Sequence, residues 1–571
     1  MLKYLKKYWM FCLLAPLFML GEIGMDLIQP GMMATIVDDG VLAQNLDVVM
    51  HEGIRMILLV LFGGLSGILC GVFANLASQQ FGNDLRKDLF DRIMHLSFAQ
   101  TDHFSTGSLI TRLVSDVTQI QQMVAMSVRG VVRSSVMFLG GIYMLYRQSP
   151  RLAFVALCGL PFIFGFVVFF LKKASPMFHV VQQKLDIVNN CLQENIAGAR
   201  VVKAYVKEDA ELLHFNDAND ALCATTLRVQ TLLAFMTPCM NIVLNLCLVA
   251  ILYVGGHAAR TTGDISSGQL MAALTYIAMI LHAVTFMANI FQTFTRAQAS
   301  VKRVNEVLHC EDVPATSYSH ATFDTFDTLE FRHVSFAYPG TAGTILQDIN
   351  LTIHRGETIG IIGATGSGKS TLLQLIPRFY DVTEGSLLLN GRDVRAYAPE
   401  TLREHIAIAM QRAELYSRSV EANIRLGRPE ADVWAIKHAA ETAQADDFIC
   451  RMKNGYYTLV SEGGHSLSGG QKQRISISRA ILKDAQLLLF DDTTSALDLH
   501  TESRLYQALE KACPHTTKII VAQRVASIKD ADRIVVLDAG QIAACGTHEE
   551  LLGTSPIYRD ICSSQLKEAT V

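Results

Sequence analysis

The chain has 571 residues, of which 50% are hydrophobic and only 18% are charged. This composition excludes an ordinary soluble enzyme, and the length allows two or more domains. The net charge of −4 at pH 7 is not typical of proteins that bind nucleic acid, so we expect no nucleic-acid partner.

Six apolar segments of membrane-spanning length precede residue 300. They cover approximately residues 9–30, 54–81, 127–147, 151–172, 230–256 and 268–292. Lysine and arginine concentrate before the first segment and in the connections after the second and the fourth, including Arg129 and Arg133. The connection after the first segment is acidic instead. The positive-inside rule therefore predicts that both termini lie in the cytoplasm.

The first apolar segment carries three polar residues, Glu22, Asp26 and Gln29, spaced to lie on one helical face. Carboxylates inside a membrane are energetically costly and usually face a cavity or a partner. Two interpretations stay open at this point. The face is either a polar wall that accepts cationic or amphipathic substrates, or a structural hydrogen-bonding face near the outer end of the helix.

The sixth apolar segment presents Thr275, Met279, His282 and Phe286 on one helical face. Methionine and aromatic side chains suit an adaptable binding surface. A packed seam between helices is an equally good interpretation of this face, and His282 alone is more often structural than functional.

The connections on the cytoplasmic side are about 45 and 55 residues long, and we predict that they are helical. The stretch from Phe178 to Leu222 contains no proline, has few glycines and repeats its apolar residues at helical spacing. The helices should therefore extend well beyond the bilayer into the cytoplasm.

Residues 310–327 are polar and non-periodic, as expected for a linker. From residue 328 onward, short apolar strands alternate with helical stretches, which predicts an α/β nucleotide-binding domain. The predicted strands of its buried sheet are Thr358–Ile362, Gln486–Phe490, Lys518–Ala522 and Arg533–Leu537. The predicted domains are thus an all-α membrane domain at 1–309, a linker at 310–327 and the α/β domain at 328–571.

A phosphate-binding loop follows the strand Thr358–Ile362 and fits the pattern GxxxxGK[ST]. Glycines let backbone N–H groups turn toward phosphate, and the helix that follows adds a favourable dipole. Lys369 should reach the β- and γ-phosphates of ATP, and Ser370 should bind Mg²⁺. The predicted nucleotide-binding residues of this loop are Gly363, Thr365, Gly366, Ser367, Gly368, Lys369, Ser370 and Thr371.

Asp491 ends a run of four apolar residues, at the tip of a predicted buried strand. A carboxylate there is suited to hold Mg²⁺ opposite Ser370.

Together with Leu467-Ser-Gly-Gly-Gln471, these elements resemble the ABC transporters. The resemblance implies that Tyr338 stacks on adenine, that Gln411 senses Mg²⁺ and the attacking water, and that Asp498 belongs to the loop crossing between two ATP sites. It also implies that the signature binds ATP held by the opposite nucleotide-binding domain. The signature residues are Leu467, Ser468, Gly469, Gly470 and Gln471.

In the membrane half, the segment from Gln193 to Asp209 strongly resembles the second intracellular region of bacterial multidrug exporters. The segment from Ser108 to Thr118 resembles the first. In such exporters each region carries a short coupling helix that docks on the nucleotide-binding domains.

Two residues depart from the family pattern: Asp492 stands where a catalytic Glu is usual, and Gln523 where a His is usual. A carboxylate that is one methylene shorter lies on the order of 1 Å away from the position of a general base, and a displacement of that size can cost about 10²-fold in rate. A glutamine amide neither carries a positive charge nor shuttles a proton. Both changes together predict a site that binds ATP and cleaves it slowly.

The signature is intact, so the sequence favours one half of a heterodimer whose partner supplies the catalytic Glu and His. The expected activity is ATP-driven export of hydrophobic or amphipathic compounds across the bacterial inner membrane. Two alternatives are an exporter for a specific endogenous lipid or peptide, and an ATP-gated regulator or channel.

Overall fold

The computed structural model describes residues 2–261, 265–310, 323–341 and 343–568. The chain forms two compact units, and each combines two stretches of sequence. The first consists of Met1–Met94 and Thr106–Cys310, and the second of His95–Ser105 and Glu311–Val571. Most of the expected linker at 310–327 falls on residues 311–322, which lie outside the described residues.

The first unit is helical, and six of its helices are long and apolar enough to cross a membrane. They are Trp9–Leu42, Leu46–Met94, Thr106–Gln148, Pro150–Ala197, Glu208–Thr261 and Ser267–Met287, the last continuing as a helix to Leu308. The six predicted apolar segments fall on these helices in the same order, so the predicted number of spans is confirmed.

Two of the spanning helices contain wide, π-helical turns. The first helix is regular over Trp9–Thr35 and π-helical over Ile36–Leu42. The third is built from the successive stretches Thr106–Thr111, Arg112–Asp116, Val117–Met126, Ser127–Val131 and Val132–Gln148, of which the second and fourth are π-helical. Such turns are frequent at functional sites. The turn at Ser127–Val131 contains Arg129.

The spanning helices pack through stripes of apolar residues. In the first helix, Met19, Ile23 and Leu27 recur every four residues and are buried. Tyr276 of the last helix is also buried, and its hydroxyl donates a hydrogen bond to the backbone oxygen of Leu27 at 2.8 Å. The polar tip of this aromatic side chain is therefore satisfied inside the apolar core.

The three longest helices extend far beyond the thickness of a bilayer. Leu46–Met94, Pro150–Ala197 and Glu208–Thr261 contain 49, 48 and 54 residues. At a rise of 1.5 Å per residue they reach about 70–80 Å, against about 30 Å of hydrocarbon. The prediction that helices continue beyond the membrane is confirmed. The short helix Ala199–Ala204 joins the second and third of them.

The second unit contains two sheets among its described residues. The strands are β1 Thr328–Phe336, β2 Leu346–His354, β3 Thr358–Ile362, β4 Glu384–Leu389, β5 Arg392–Asp393, β6 Ile406–Ala409, β7 Leu487–Asp491, β8 Thr517–Val521, β9 Arg533–Asp538 and β10 Gln541–Gly546. The smaller sheet is antiparallel, in the order β2-β1-β4-β5. The larger sheet has the order β10-β9-β3-β8-β7-β6, and β9 to β6 run parallel. All four predicted strands are confirmed to within one residue at each end.

Helices pack around these sheets. They are Lys369–Leu375, Pro399–Glu404, Val420–Arg425, Val433–Thr442, Asp446–Cys450, Gly469–Leu482, Leu499–Ala512, His548–Thr554 and Pro556–Glu568. The predicted capping box at Thr547 is confirmed, since the Thr547 hydroxyl accepts from the Glu550 amide and the Glu550 carboxylate accepts from the Thr547 amide.

A short helix from the membrane half of the sequence packs within the second unit. This helix, Phe98–His103, begins with a capping box formed by Ser97 and Gln100. The ring of Phe98 stacks on Phe379 with a centroid distance of 4.1 Å. These residues fall within the predicted membrane domain at 1–309, and the segment that resembles the first intracellular region begins at Ser108, ten residues downstream of Phe98.

Candidate nucleotide site

The phosphate-binding loop connects β3 to the helix Lys369–Leu375, as the sequence predicted. Gly366 and Gly368 have φ angles of +85° and +95°, which favour glycine. Gly363 is restricted by space, because a Cβ atom there would lie 2.1 Å from the backbone oxygen of Leu537. The backbone of the loop therefore requires glycine at these three positions.

Lys369 folds back over the loop that precedes it. Its Nζ donates hydrogen bonds to the backbone oxygens of Gly363 and Ala364, both at 2.8 Å. Burial lowers the pKa of Lys369, while the nearby carboxylates of Asp492 and Asp491 oppose that shift. The ammonium group lies inside the loop, at the position where phosphate charge would stabilise it.

Ser370 and Asp491 are brought together across the sheet. The Ser370 hydroxyl donates to Asp491 Oδ1 at 2.7 Å, and Asp491 is the last residue of β7. Burial raises the pKa of Asp491 and the Ser370 hydrogen bond opposes the shift. A hydroxyl and a carboxylate in contact provide the hard oxygen ligands that Mg²⁺ prefers.

Asp492 accepts hydrogen bonds from two side chains, each of which follows a different strand of the sheet. Its Oδ2 accepts a hydrogen bond from Gln411 Nε2 at 3.1 Å and another from Gln523 Nε2 at 2.7 Å. Gln411 follows β6 and Gln523 follows β8. Because the carboxyl ends of these parallel strands share one edge of the sheet, the three side chains meet there. Burial raises the pKa of Asp492, and the hydrogen bond from Gln411 opposes that shift.

Tyr338 lies beside the start of the helix that follows the loop. Its hydroxyl is 3.1 Å from Thr371 Oγ1 and donates to Gln374 Oε1 at 3.3 Å. The ring also makes an edge contact with Tyr380, at a centroid distance of 5.1 Å. The aromatic ring is thus close to the loop, as stacking on a nucleotide base requires.

Among the predicted loop residues, Thr371 is buried and Thr365 is exposed.

The signature forms the start of the helix Gly469–Leu482. Ser468 caps this helix, because its hydroxyl accepts from the Gln471 amide while the Gln471 side chain accepts from the Ser468 amide. None of the hydrogen bonds described for residues 467–471 reaches the phosphate-binding loop. The first two glycines of the helix instead lie close to Ala496, two residues before Asp498.

Asp498 caps the helix Leu499–Ala512 by accepting from the Thr501 amide at 2.9 Å and from the Thr501 hydroxyl at 2.8 Å. These bonds fix the end of the segment 495–498.

Two residues of the site region were missed in the sequence. The Glu502 carboxylate is buried and accepts hydrogen bonds from Thr494 and Ser527. Gln565 donates to the backbone oxygen of Gln523 at 2.7 Å and accepts from the Val525 amide at 2.9 Å. Glu502 shares a helical face with Leu505 and Leu509, a pattern that could have marked it as inward-facing. Nothing local in the sequence marks Gln565.

The polar residues of the first spanning helix belong to the first unit. Glu22 Oε1 accepts from Arg133 Nη1 at 2.5 Å, and Asp26 Oδ2 lies 3.7 Å from Arg133 Nη2. Gln29 is half-buried one turn further along. Arg133 is one of the basic residues assigned to the connection after the second apolar segment, but it also falls within the apolar segment 127–147. The pairing favours the structural interpretation of the two carboxylates.

On the last spanning helix, the four residues of the predicted face do not form a fully packed contact with neighbouring helices. Thr275 and His282 are exposed, and Met279 and Phe286 are half-buried.

The residues of the phosphate-binding loop are suited to bind a nucleoside triphosphate. Ser367 Oγ is buried and has no hydrogen-bond partner among the described residues, which leaves a donor available to phosphate. The helix Lys369–Leu375 has no side-chain cap, so its first N–H groups are available too. Ser370 and Asp491 would hold Mg²⁺, which would neutralise charge on the transferred phosphoryl group.

Two family models match the chain. The ABC transporter transmembrane region matches residues 12–284, and the ABC transporter family matches residues 346–495. The uncharacterised ABC transporter ATP-binding protein YfiB of Bacillus subtilis (strain 168) is 37% identical over 566 residues, covering 99% of this chain and 98% of that protein. The ATP-dependent lipid A-core flippase of Syntrophus aciditrophicus (strain SB) is 32% identical over 94% of this chain and 88% of its own length.

Among solved structures, a bacterial Atm1-family ABC exporter with ATP bound superimposes with a TM-score of 0.83. The match covers 96% of this chain and 98% of the exporter chain. Because the two sequences are only 23% identical, the likeness shows the fold alone. With two matching family regions, relatives along the whole length and this fold, the chain belongs to the ABC transporters and is of the exporter type.

Proposed function

We propose that this chain is one half of a heterodimeric ATP-driven exporter of hydrophobic or amphipathic compounds. It would lie in the cytoplasmic (inner) membrane of a bacterium with both termini in the cytoplasm. Six spanning helices followed by a nucleotide-binding unit support this assignment. The domains would be the membrane part at 1–309, a linker at 310–327 and the nucleotide-binding part at 328–571.

The observation that carries the proposal is the contact between Asp492 and Gln523. Both residues replace the pair that the family pattern uses for cleavage, and they bond to each other at 2.7 Å. Asp492 is too short to place its carboxylate where a general base meets water, and Gln523 carries no charge toward the γ-phosphate. This site would bind ATP and Mg²⁺ and hydrolyse ATP slowly.

The signature has a different role in this proposal. Its helix start at Ser468 presents N–H groups and a hydroxyl, which suit the phosphate of an ATP held by another chain. The partner would supply a catalytic Glu and His, and this chain's signature would complete the partner's competent site. Asp498 would lie in the loop that crosses between the sites.

Transport would proceed by alternating access. ATP would close the two nucleotide-binding domains on each other, the long helices would turn the cargo path outward, and hydrolysis at the competent site would reset the transporter. The short helices Phe98–His103 and Ala199–Ala204 would pass this motion to the membrane helices. Gln411 would report the state of the site, since it already bonds to Asp492.

ATPase measurements on the purified chain, alone and with candidate partners, test the heterodimer. We expect weak turnover alone and strong stimulation by a partner that carries the intact Glu and His. Turnover by the chain alone at the rate of a normal exporter would rule the proposal out.

A specific endogenous lipid is the second candidate for the cargo. It is favoured by the 32% identity to a protein named as a lipid A-core flippase. Directional movement of fluorescent lipid and of fluorescent dye in vesicles, each with and without ATP, separates the two cargo classes. The same measurement separates a pump from an ATP-gated channel, because a channel gives no movement against a gradient. An endogenous peptide remains a further alternative, without an observation of its own.

A further inference from the structure

The helical unit contains a cavity of about 480 Å³ between its second, third and last spanning helices. Its lining combines cationic and polar groups on one part with apolar groups on another. The residues that matter here are Asn75, Arg129, Arg133, His282, Met137 and Phe286. A cavity with an apolar wall and a few convergent polar groups is the usual form of a small-molecule site.

The charges around this cavity are unevenly distributed. Both arginines line it, whereas neither Glu22 nor Asp26 is among its lining residues. The two carboxylates instead contact Arg133, at 2.5 and 3.7 Å. Glu22 also packs against the second helix, where a Cβ atom at Gly67 would lie 2.9 Å from its Oε2. Both carboxylates therefore contact Arg133, and neither is among the residues that line the cavity.

Arg129 differs from Arg133 in this respect. Within the part of the chain that the structure describes, its guanidinium makes no hydrogen bond or ion pair, and the side chain is exposed. It lies in the π-helical turn Ser127–Val131, four residues before Arg133. Of the two arginines that line the cavity, Arg129 is the one with no hydrogen bond or ion pair among the described residues.

The depth of Arg129 along its helix matches the position of a lipid head group. Nineteen residues separate it from Gln148, where the third spanning helix ends. This separation corresponds to about 28 Å along the helix, close to the thickness of the hydrocarbon layer. With Gln148 at one membrane interface, Arg129 would lie near the other, and the apolar side chains Met137 and Phe286 line the same cavity.

We propose that this cavity binds an amphipath with an anionic head group, a phosphate or a carboxylate, and that Arg129 contacts the anion. The inference rests on the proposed export function and names the class of its substrate. A guanidinium group matches both anions with two parallel hydrogen bonds. A cationic cargo is disfavoured, because two arginines line the cavity while the carboxylates that would receive a cation contact Arg133 and are not lining residues.

The test uses the full chain in nanodiscs of phosphatidylcholine. Three fluorescent single-chain amphipaths share one dodecyl chain and differ in the head group: phosphate, phosphocholine or trimethylammonium. The variants are Arg129→Gln, Arg129→Lys and the control Arg147→Gln, which makes the same change on the same helix outside the lining of the cavity. Gel-filtration profile and unfolding temperature establish that each variant is folded.

We expect the phosphate amphipath to bind at least about tenfold more tightly than the trimethylammonium one, as a charge-assisted hydrogen bond implies. Arg129→Gln should remove that preference, Arg129→Lys should restore part of it, and Arg147→Gln should leave it unchanged. Equal affinity for the anionic and cationic probes would overturn the inference, as would equal losses in Arg129→Gln and Arg147→Gln. Displacement by millimolar inorganic phosphate would also overturn it, because the site would then recognise a free anion and not an amphipath.

ATP-driven transport of a neutral dye by the chain with its partner is measured in parallel. Dye transport without anion preference means that this inference fails and the export function stands. Anion preference without any ATP-driven transport means that the export function fails and the binding site stands.

Discussion

The side-chain amide of Gln523 donates a hydrogen bond to the carboxylate of Asp492 at 2.7 Å. These are the two positions at which the chain departs from the ABC pattern, and they are 31 residues apart in sequence. Their contact means that neither change acts alone. A neutral amide next to a buried carboxylate stabilises its charge by a hydrogen bond and does not supply a titrating proton, and in the proposed slow site the pair would replace the usual general base and its partner.

Replacing both residues by the family pair, Asp492→Glu with Gln523→His, should raise the ATPase rate of the purified chain by about 10²-fold. The longer carboxylate restores the reach of a general base, and the imidazole can carry charge. Because the two side chains are in contact, we expect the single variants to give less than half of this gain each on a logarithmic scale.

The control for this gain is the triple variant that adds Lys369→Ala, which should return the rate to its starting value. If the double variant leaves turnover unchanged, a step other than the local chemistry of this site limits the rate.

Lys369→Ala by itself should weaken binding of a fluorescent ATP analogue at least about tenfold, since a charged group that bonds to phosphate is lost. The matched control is Lys453→Ala, because Lys453 is exposed and lies outside the phosphate-binding loop. Equal affinities for the two variants would show that Lys369 does not contact the nucleotide.

Ser468→Ala tests the signature against a purely structural role. The substitution removes a helix cap, which costs about 0.5–2 kcal/mol of stability, and it removes a hydroxyl proposed to reach the partner's ATP. We expect the ATPase rate of the pair with its partner to fall at least about tenfold while ATP still binds to this chain alone.

Thr547→Ala provides the comparison, because Thr547 forms the same capping box at a helix with no proposed role in the site. It should lose similar stability and keep the ATPase rate of the pair. The functional role of Ser468 is wrong if both variants lose the same activity.

The contact between Glu357 and Arg533 predicts a pH dependence of stability. Burial raises the pKa of Glu357, but the hydrogen bonds from Arg533 and from the His354 amide outweigh it, so the pKa lies below its ordinary value of 4.5. A carboxyl group with a lowered pKa contributes stability above that value and loses it as the pH falls further.

Glu357→Gln should therefore destabilise the full chain in detergent by about 1 kcal/mol at pH 7. The difference from the original chain should shrink as the pH falls below 4.5, measured as the unfolding temperature of both proteins. A difference that stays constant from pH 7 to pH 3 would show that the ion pair contributes nothing.

The positions of the spanning helices and of four strands of the larger sheet could be predicted because both depend on local patterns. An apolar run of about twenty residues predicts a membrane span wherever it occurs. A short apolar strand followed by a glycine-rich loop predicts the phosphate-binding loop after β3. The cap at Thr547 could be predicted for the same reason. These features depend on residues that are neighbours in sequence.

Residues that are distant in sequence could not be paired in this way. Gln411 and Asp492 are 81 residues apart and meet because β6 and β7 run parallel and end at the same edge of the sheet. The helix Phe98–His103 joins the second unit through the stacking of Phe98 on Phe379, 281 positions downstream, and no periodicity in either segment indicates it.

The sequence by itself determined the membrane-spanning plan and the chemistry of the phosphate-binding loop, because hydrophobic length and glycine spacing act locally. Only the tertiary structure decided that Arg133, and not Arg129, pairs with Glu22 among the described residues, while Arg129 lines the cavity. The physical reason is that an ion pair forms between whichever charged groups helix packing brings within reach, and helix packing depends on the whole unit.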